Sequence, residues 1–251
     1  MIEIKNVTKK YGSKAVVNNI TLKLPRGKVI SMIGPNGAGK STLLGLVSRT
    51  LKSDGGSVFI NDLELSRWDN NDLAKQMAVM KQSEHISVRI TVYDLVCFGR
   101  FPYSKGRLTQ VDKEKIEEAI AYMDLEEIRD RYIDELSGGQ RQRAYIASIY
   151  AQDTEYILLD EPLNNLDIKY ASQMLKLLRK LADDLNKTVI IVIHDINFAS
   201  AYSDHIVLIK DGVIAMNGTV EEVMQEEVLE SIYGMPFEVI ELNGKRLCSY
   251  F

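Results

Sequence analysis

Leu136-Ser137-Gly138-Gly139-Gln140 is the most informative segment of this chain because of the two segments that flank it. Upstream lies Gly34-Pro35-Asn36-Gly37-Ala38-Gly39-Lys40-Ser41-Thr42, which has the Gly-x-x-x-x-Gly-Lys-Ser pattern of a phosphate loop. Downstream, Ile157-Leu158-Leu159-Asp160-Glu161-Pro162 places two carboxylates at the end of an apolar run. We refer to residues 34–42 as the phosphate loop and to residues 136–140 as the signature segment. Together, in this order, the three segments indicate nucleotide chemistry.

The composition is that of an ordinary globular protein, with 45% hydrophobic and 26% charged residues in 251. A net charge of −4, with Lys and Arg spread along the chain, predicts no nucleic-acid partner. No apolar run approaches the roughly 20 residues that a membrane-spanning helix needs. The start reads as a strand rather than a signal peptide, and Cys97 and Cys248 lack metal-type spacing. We therefore expect a cytosolic protein that reaches a membrane only through a partner.

The first third of the chain predicts short strands around a buried one. β-Branched residues favour strands at 2–7, 15–24 and 58–60, with turns at 11–13 and 53–56. The continuous apolar run at 29–33 predicts a buried strand that leads into the phosphate loop. A helix is expected from Thr42 to about Ser48, and its N-terminus attracts phosphate.

The rest of the chain predicts a helical insertion followed by further strands. Residues 90–151 are helical in pattern, and Thr109 three residues before Asp112 resembles a capping box. Two more buried parallel strands are expected at 156–159 and 189–193, joined by a helix at 170–184. Hairpins are predicted at 206–216 and around Asn243-Gly244.

The chemistry follows from the residue types in the phosphate loop and at the strand end. Lys40 neutralises charge on the transferred phosphoryl group, and the Ser41 hydroxyl suits a Mg²⁺ ligand. Asp160 follows four apolar residues, so it stands at the carboxyl end of a strand, where open α/β sheets bind ligands. It would hold Mg²⁺ through water, while Glu161 polarises the attacking water.

The three motifs resemble those of the ATP-binding cassette (ABC) family, and the resemblance covers nearly the whole chain. It implies one nucleotide-binding domain over 1–251 with an α/β ABC ATPase fold. That fold has a RecA-like P-loop core, an antiparallel β subdomain and a helical subdomain inserted at about 83–152. The implied cofactors are ATP and Mg²⁺.

Several further roles come from the resemblance rather than from the residues themselves. His194 ends an apolar strand, where a histidine is more often structural, but the matching family position contacts the γ-phosphate and positions water. Gln82 resembles the Q-loop glutamine, which touches Mg²⁺ and the permease interface. Tyr11 resembles the aromatic residue that stacks on adenine, although a turn tyrosine is the alternative.

The signature segment is implied to act in trans, closing over the ATP of a second subunit in a head-to-tail homodimer. Ser137 and Gly139 would then supply hydroxyl and N–H donors to the γ-phosphate. Asp167 matches the D-loop aspartate. Leu163 and Asn164 depart from the commonest Thr-Ser start of that loop, which leaves a hydroxyl role there unsupported.

Within the family, the helical segment resembles ATPases of iron–siderophore and vitamin B12 importers, nearest to the petrobactin- or catecholate-type group. The resemblance rests on two segments, Thr91-Val92-Tyr93-Asp94-Leu95-Val96 and Phe98-Gly99-Arg100-Phe101-Pro102-Tyr103. Residues 161–167 and 194–199 are also similar to those of bacterial ferric-siderophore import ATPases. The expected partners are integral-membrane permease subunits, at the cytoplasmic face of the membrane, and an extracellular substrate-binding lipoprotein. The alternatives are import of haem, vitamin B12 or a metal, export, and a non-transport ABC ATPase.

Overall fold

The computed structural model describes residues 1–81, 89–164 and 166–250. The strands are β1 Ile2–Tyr11, β2 Lys14–Leu24, β3 Val29–Ile33, β4 Gly55–Ile60, β5 Leu63–Glu64, β6 Met77–Met80, β7 Tyr156–Asp160, β8 Thr188–Val192, β9 His205–Lys210, β10 Val213–Thr219, β11 Glu238–Leu242 and β12 Lys245–Ser249. The α-helices are α1 Lys40–Val47, α2 Asn70–Gln76, α3 Val92–Gly99, α4 Phe101–Ser104, α5 Gln110–Tyr122, α6 Gly138–Gln152, α7 Ile168–Leu185, α8 Ile196–Tyr202, α9 Val220–Val223 and α10 Glu226–Tyr233. Short 3-10 turns lie at Leu65–Arg67, Glu126–Ile128 and Ile133–Glu135.

A six-stranded sheet in the order β10-β9-β3-β8-β7-β6 forms the centre of the molecule. Its pairings are parallel apart from the antiparallel hairpin of β9 and β10. Every residue of β3 and β8 is buried, as expected for strands covered on both faces. The strands predicted at 29–33, 156–159 and 189–193 are therefore confirmed, and their carboxyl ends meet at one edge of the sheet.

A four-stranded antiparallel sheet, in the order β2-β1-β4-β5, packs with α1 against one side of this centre. The predicted turn at 53–56 is wrong in part, because Gly55 and Gly56 begin β4. Gly56 has a φ of +74°, and a Cβ there would lie 2.3 Å from the Asn6 carbonyl oxygen. The glycine therefore allows the close approach of two strands rather than a turn.

Helices fill the segment between β6 and β7 in the described residues. Capping boxes begin three of them, at Thr91 with Asp94, Thr109 with Asp112, and Ser137 with Gln140. The predicted box at Thr109 is thus confirmed. Asp112 also receives the buried Arg100 guanidinium, whose Nε lies 2.9 Å from its Oδ1. This pair stabilises the junction of α3 and α5 with the end of α6, where Arg100 donates to the Ala151 carbonyl.

The chain ends in α9, α10 and the hairpin of β11 and β12, which lies on α8. Asn243 and Gly244 form the turn of this hairpin with φ values of +53° and +71°, as their sequence predicts. Among the described residues, no helix combines the length and the apolar character that crossing a bilayer requires.

Candidate active site

The phosphate loop connects β3 to α1 along a path that requires glycine at two points. Gly34 and Gly39 have φ values of +141° and +103°. A Cβ would lie 2.0 Å from the Ile209 carbonyl oxygen at Gly34 and 2.4 Å from that of Val16 at Gly39. No side chain caps the start of α1, because its N-cap residue is Gly39. The first N–H groups of this helix are therefore left for an anion.

Lys40 points back into this loop rather than toward solvent. Its ammonium donates to the carbonyl oxygens of Gly34 at 2.8 Å and Pro35 at 3.0 Å, and only 4% of the residue is exposed. Burial lowers the pKa of Lys40, while the carboxylates of Glu161 and Asp160 act in the opposite direction. The loop therefore contains a desolvated cation where a phosphate is expected.

Asp160 and Ser41 form the second part of the site. Asp160 is the last residue of β7, and its Oδ1 is buried without a hydrogen-bond partner among the described residues. Burial raises the pKa of Asp160, and a hydrogen bond with the Ser41 side chain opposes that rise. Both residues line a cavity of about 280 Å³ that extends along α1. An unpaired carboxylate oxygen beside a hydroxyl is a donor set that suits a hard divalent cation.

Glu161 lies at the next position, with its carboxylate held at both oxygens. Its Oε1 is 2.6 Å from Nε2 of His194, and its Oε2 accepts from Nδ2 of Asn164 at 2.6 Å. The backbone of Glu161 is left-handed, with a φ of +50°, and its N–H donates to Val192. Because β7 and β8 pair with Asp160 opposite Val192, the residues that follow the two strands meet. The structure thus brings the predicted Glu161 and His194 together.

Asn164 is a site residue that sequence analysis missed. It was noted only as a departure from the usual D-loop start, yet its amide holds the Glu161 carboxylate. The sequence did contain a signal for this contact, because Asn164 lies three residues after Glu161 and a turn can bring two such side chains together. A side-chain amide at this place fixes one carboxylate oxygen and leaves the other with the histidine.

The signature segment lies beside the loop that follows Glu161. Ser137 is exposed and caps α6, with its Oγ accepting from the Gln140 N–H at 3.3 Å. A Cβ on Gly139 would lie 2.4 Å from the ring of Tyr170, so a larger residue there would require the ring to move. Asp167 caps α7 by accepting from the Tyr170 N–H at 3.0 Å. Tyr170 thus connects the signature segment to the predicted D-loop aspartate, a role that sequence analysis missed.

The helix of the signature segment is also tied directly to the residue after Glu161. Gln142 donates to the carbonyl oxygen of Pro162 at 3.0 Å. In the described part of the chain, no hydrogen bond or ion pair joins residues 136–140 to the phosphate loop. The structure therefore does not bring these two motifs together within one chain.

Tyr11 and Gln82 complete the set of predicted site residues. Tyr11 ends β1, is 52% exposed, and has Lys9 Nζ 5.7 Å from its ring centroid. The paired β2 passes the phosphate loop, where the Val16 carbonyl meets Gly39. More than half of Tyr11 is thus exposed to solvent. Gln82 lies outside the described residues.

Comparison with known proteins decides the family. The sequence profile of the family described as ABC transporter matches residues 17–164, more than half of the chain. The chain belongs to the ABC transporter family. This ABC transporter subunit is 51% identical to the petrobactin import ATP-binding protein YclP of Bacillus subtilis, over all 251 residues and the whole of both chains. Its motifs and family make it an ATPase that binds ATP, as predicted.

Solved structures confirm the predicted α/β ABC ATPase fold. A metal-chelate type ABC transporter in an inward-facing conformation matches with a TM-score of 0.85 and 24% identity, covering 100% of this chain and 96% of that one. The dimeric structure of MJ0796, a bacterial ABC transporter cassette, matches with a TM-score of 0.76 and 31% identity, covering 88% and 99%. The first likeness concerns the fold alone.

Proposed function

We propose that this ABC transporter ATPase energises the uptake of a ferric siderophore through an integral-membrane permease, from the cytoplasmic face of the membrane. The observation that carries the proposal is the 51% identity to a petrobactin import ATP-binding protein along the whole of both chains. The geometry of Lys40, Asp160, Glu161 and His194 supports the ATPase half of the proposal. An extracellular substrate-binding lipoprotein would deliver the siderophore to the permease.

In the proposed mechanism ATP binds with its phosphates in the loop of residues 34–42. Lys40 exchanges its bonds to the loop carbonyls for bonds to the β- and γ-phosphates, and the N–H groups of the α1 N-terminus add donors. Tyr11 stacks on adenine. The Ser41 hydroxyl and the unpaired Asp160 oxygen would hold Mg²⁺, with Gln82 as a further ligand. Mg²⁺ would supply charge neutralisation on the phosphate oxygens.

Hydrolysis then depends on Glu161 as the general base. A carboxylate at the end of β7, next to Asp160, takes the proton of the attacking water. Asn164 fixes one of its oxygens, and His194 fixes the other and faces the γ-phosphate. This arrangement orients the base before ATP arrives, which lowers the cost of ordering it during the reaction.

The second half of the active site would come from another copy of the chain. We propose that ATP draws two cassettes, each a single domain over 1–251, into a homodimer. In that dimer residues 136–140 of one copy close over the phosphate loop of the other. The dimeric structure of the related MJ0796 cassette supports the formation of a dimer. Within each copy, the contacts of Tyr170 and Gln142 hold the signature segment beside the loop that follows Glu161.

The permease is proposed to dock on the helical segment near Gln82 and residues 91–103. Phe98 and Phe101 are 58% and 56% exposed there, although both are large and apolar. Exposed aromatic side chains of this kind are typical of a protein–protein contact. Arg100, which lies between them in sequence, is buried and paired with Asp112.

Deleting the gene tests the transport half of the proposal. We expect ATP-dependent uptake of one ferric siderophore to fall to background while unrelated nutrients enter at their normal rate. The wild-type gene restores uptake, whereas a Glu161→Gln copy does not. Normal uptake of every ferric siderophore, or loss of haem or vitamin B12 uptake or of an export activity instead, would contradict siderophore import and leave the ATPase assignment intact.

A further inference from the structure

A separate hydrophobic cluster connects the C-terminal segment of the chain to both sides of the active site. Leu229, Ile232 and Phe237 from this segment pack in one cluster with Ile33 and Ile196. Ile33 immediately precedes the phosphate loop, and Ile196 is the second residue after His194. The profile match to the family ends at residue 164, so this segment lies beyond the matched part.

A two-bond polar connection is made by Asn197, in the first turn of α8. Its side-chain amide binds both backbone groups of Cys248 on β12. The Asn197 Nδ2 donates to the Cys248 carbonyl at 3.1 Å, and Oδ1 accepts from the Cys248 N–H at 2.7 Å. The amide therefore pairs with β12 as a neighbouring strand would. It satisfies two groups of a residue that is only 4% exposed.

Two further hydrogen bonds join α8 to the hairpin of β11 and β12. Ser200 Oγ donates to the Arg246 carbonyl at 2.6 Å, and Lys245 Nζ donates to the Ala201 carbonyl at 2.8 Å. Together with the Asn197 pair, they attach the hairpin of β11 and β12 along the length of α8. Of these contacts, only those of Asn197 lie in the helix turn next to His194.

α8 begins two residues after the histidine. Asp195 caps it by accepting from the Phe198 N–H at 2.9 Å, so His194 is the last residue before a capped, hydrogen-bonded turn. Its imidazole Nε2 lies 2.6 Å from Glu161. A rotation or shift of the first turn of α8 would carry His194 with it and change this distance.

We infer that Asn197 is a positioning residue, which fixes the first turn of α8 on the C-terminal hairpin and thereby holds His194 against Glu161. The inference rests on the proposed role of His194 in hydrolysis. The hairpin is then a part of the catalytic assembly, although none of its residues belongs to the predicted ATP-binding set. Among the described residues, no hydrogen bond joins Asn197 directly to Lys40 or to the phosphate loop.

The test is Asn197→Ala in the full chain, read out by steady-state ATPase kinetics and by NMR of the histidine rings. We expect kcat to fall about 10-fold, because small misplacements of reacting groups cost one to two orders of magnitude. KM for ATP should stay within about 2-fold, because the phosphate loop is unchanged. The chain has three histidines, so their ring signals are few. The His194 signals should shift, and those of His205, which is bonded to Asn217 at 2.7 Å, should not.

Two variants serve as controls. Gln152→Ala removes a side-chain amide on α6 that donates to the Ala74 carbonyl at 2.6 Å. It therefore measures how much stability is lost when a helix loses a side-chain hydrogen bond of this kind far from His194. It should lower the melting temperature and leave kcat and the His194 signals near wild type. Asn197→Asp keeps the acceptor for the Cys248 N–H and replaces Asn197→Ala where that variant does not fold.

Unmoved His194 signals in a folded Asn197 variant would overturn the inference, whatever the activity does. Equal loss of kcat in Gln152→Ala would overturn it as well, because the effect would then be one of stability. Failure of the proposed function looks different. In that case the His194→Ala variant hydrolyses ATP at the wild-type rate. The His194 NMR signals of the Asn197→Ala variant, which keeps the histidine, still shift.

Discussion

Glu161→Gln is expected to lower the rate of ATP hydrolysis at least about 100-fold, the usual scale for loss of a general base. The substitution keeps the shape of the side chain and its contact with Asn164, but removes the group that accepts the proton. Lys40, Ser41 and the phosphate loop are untouched, so ATP affinity should be retained. Single-turnover hydrolysis and equilibrium binding of ATP measure the two effects separately.

The same variant should accumulate as an ATP-bound dimer, because the step that opens the dimer no longer occurs. Gel filtration with and without ATP detects this change in size. Glu155→Gln is the matched control, since Glu155 precedes the same strand at its other end and binds Asn61 and Arg26. It should hydrolyse ATP nearly normally. Wild-type turnover in Glu161→Gln would show that another group is the base.

Lys40→Ala is expected to abolish nucleotide binding and hydrolysis together. The buried ammonium is the cation that the loop holds at 2.8 Å from the Gly34 carbonyl. Removing one partner of a buried charge pair costs about 2–5 kcal/mol, which corresponds to a dissociation constant roughly 30-fold or more weaker. Calorimetric titration with ATP measures the loss.

Lys40→Met separates charge from packing, because it keeps most of the buried stem without the ammonium. It should fail to bind ATP as Lys40→Ala does. Lys52→Ala, at an exposed position outside the site, should bind normally. Tight ATP binding by a folded Lys40→Met protein would exclude the proposed pairing of Lys40 with the phosphates.

The parts of the fold that the sequence predicted well are those determined by local pattern. The strand at 29–33 was bounded correctly because its apolar run meets a glycine loop, and the capping box at Thr109 is a contact over three residues. Lys40, Asp160 and Glu161 were found because strand ends and glycine loops constrain chemistry locally. Their roles in ATP hydrolysis remain predictions that the experiments above test.

The parts that were missed depend on contacts between distant segments. Asn197 and Cys248 are 51 positions apart, and the ring of Tyr170 reaches Gly139 from another helix. No periodicity or motif announces which backbone group an amide will meet after folding. Gly56 was misread for the same reason, since its conformation serves the approach of β4 to Asn6 rather than a turn.

The central claim is that one ATP site is built from two copies of the chain, and mixing two inactive variants tests it most directly. Lys40→Ala destroys the phosphate loop, and Ser137→Arg blocks the exposed start of α6. Each should be inactive alone. In a mixed dimer both lesions fall in one composite site, and the other site is intact. We predict that mixing restores part of the ATPase activity. No recovery, with heterodimers demonstrated by pull-down of differently tagged subunits, would contradict the shared site.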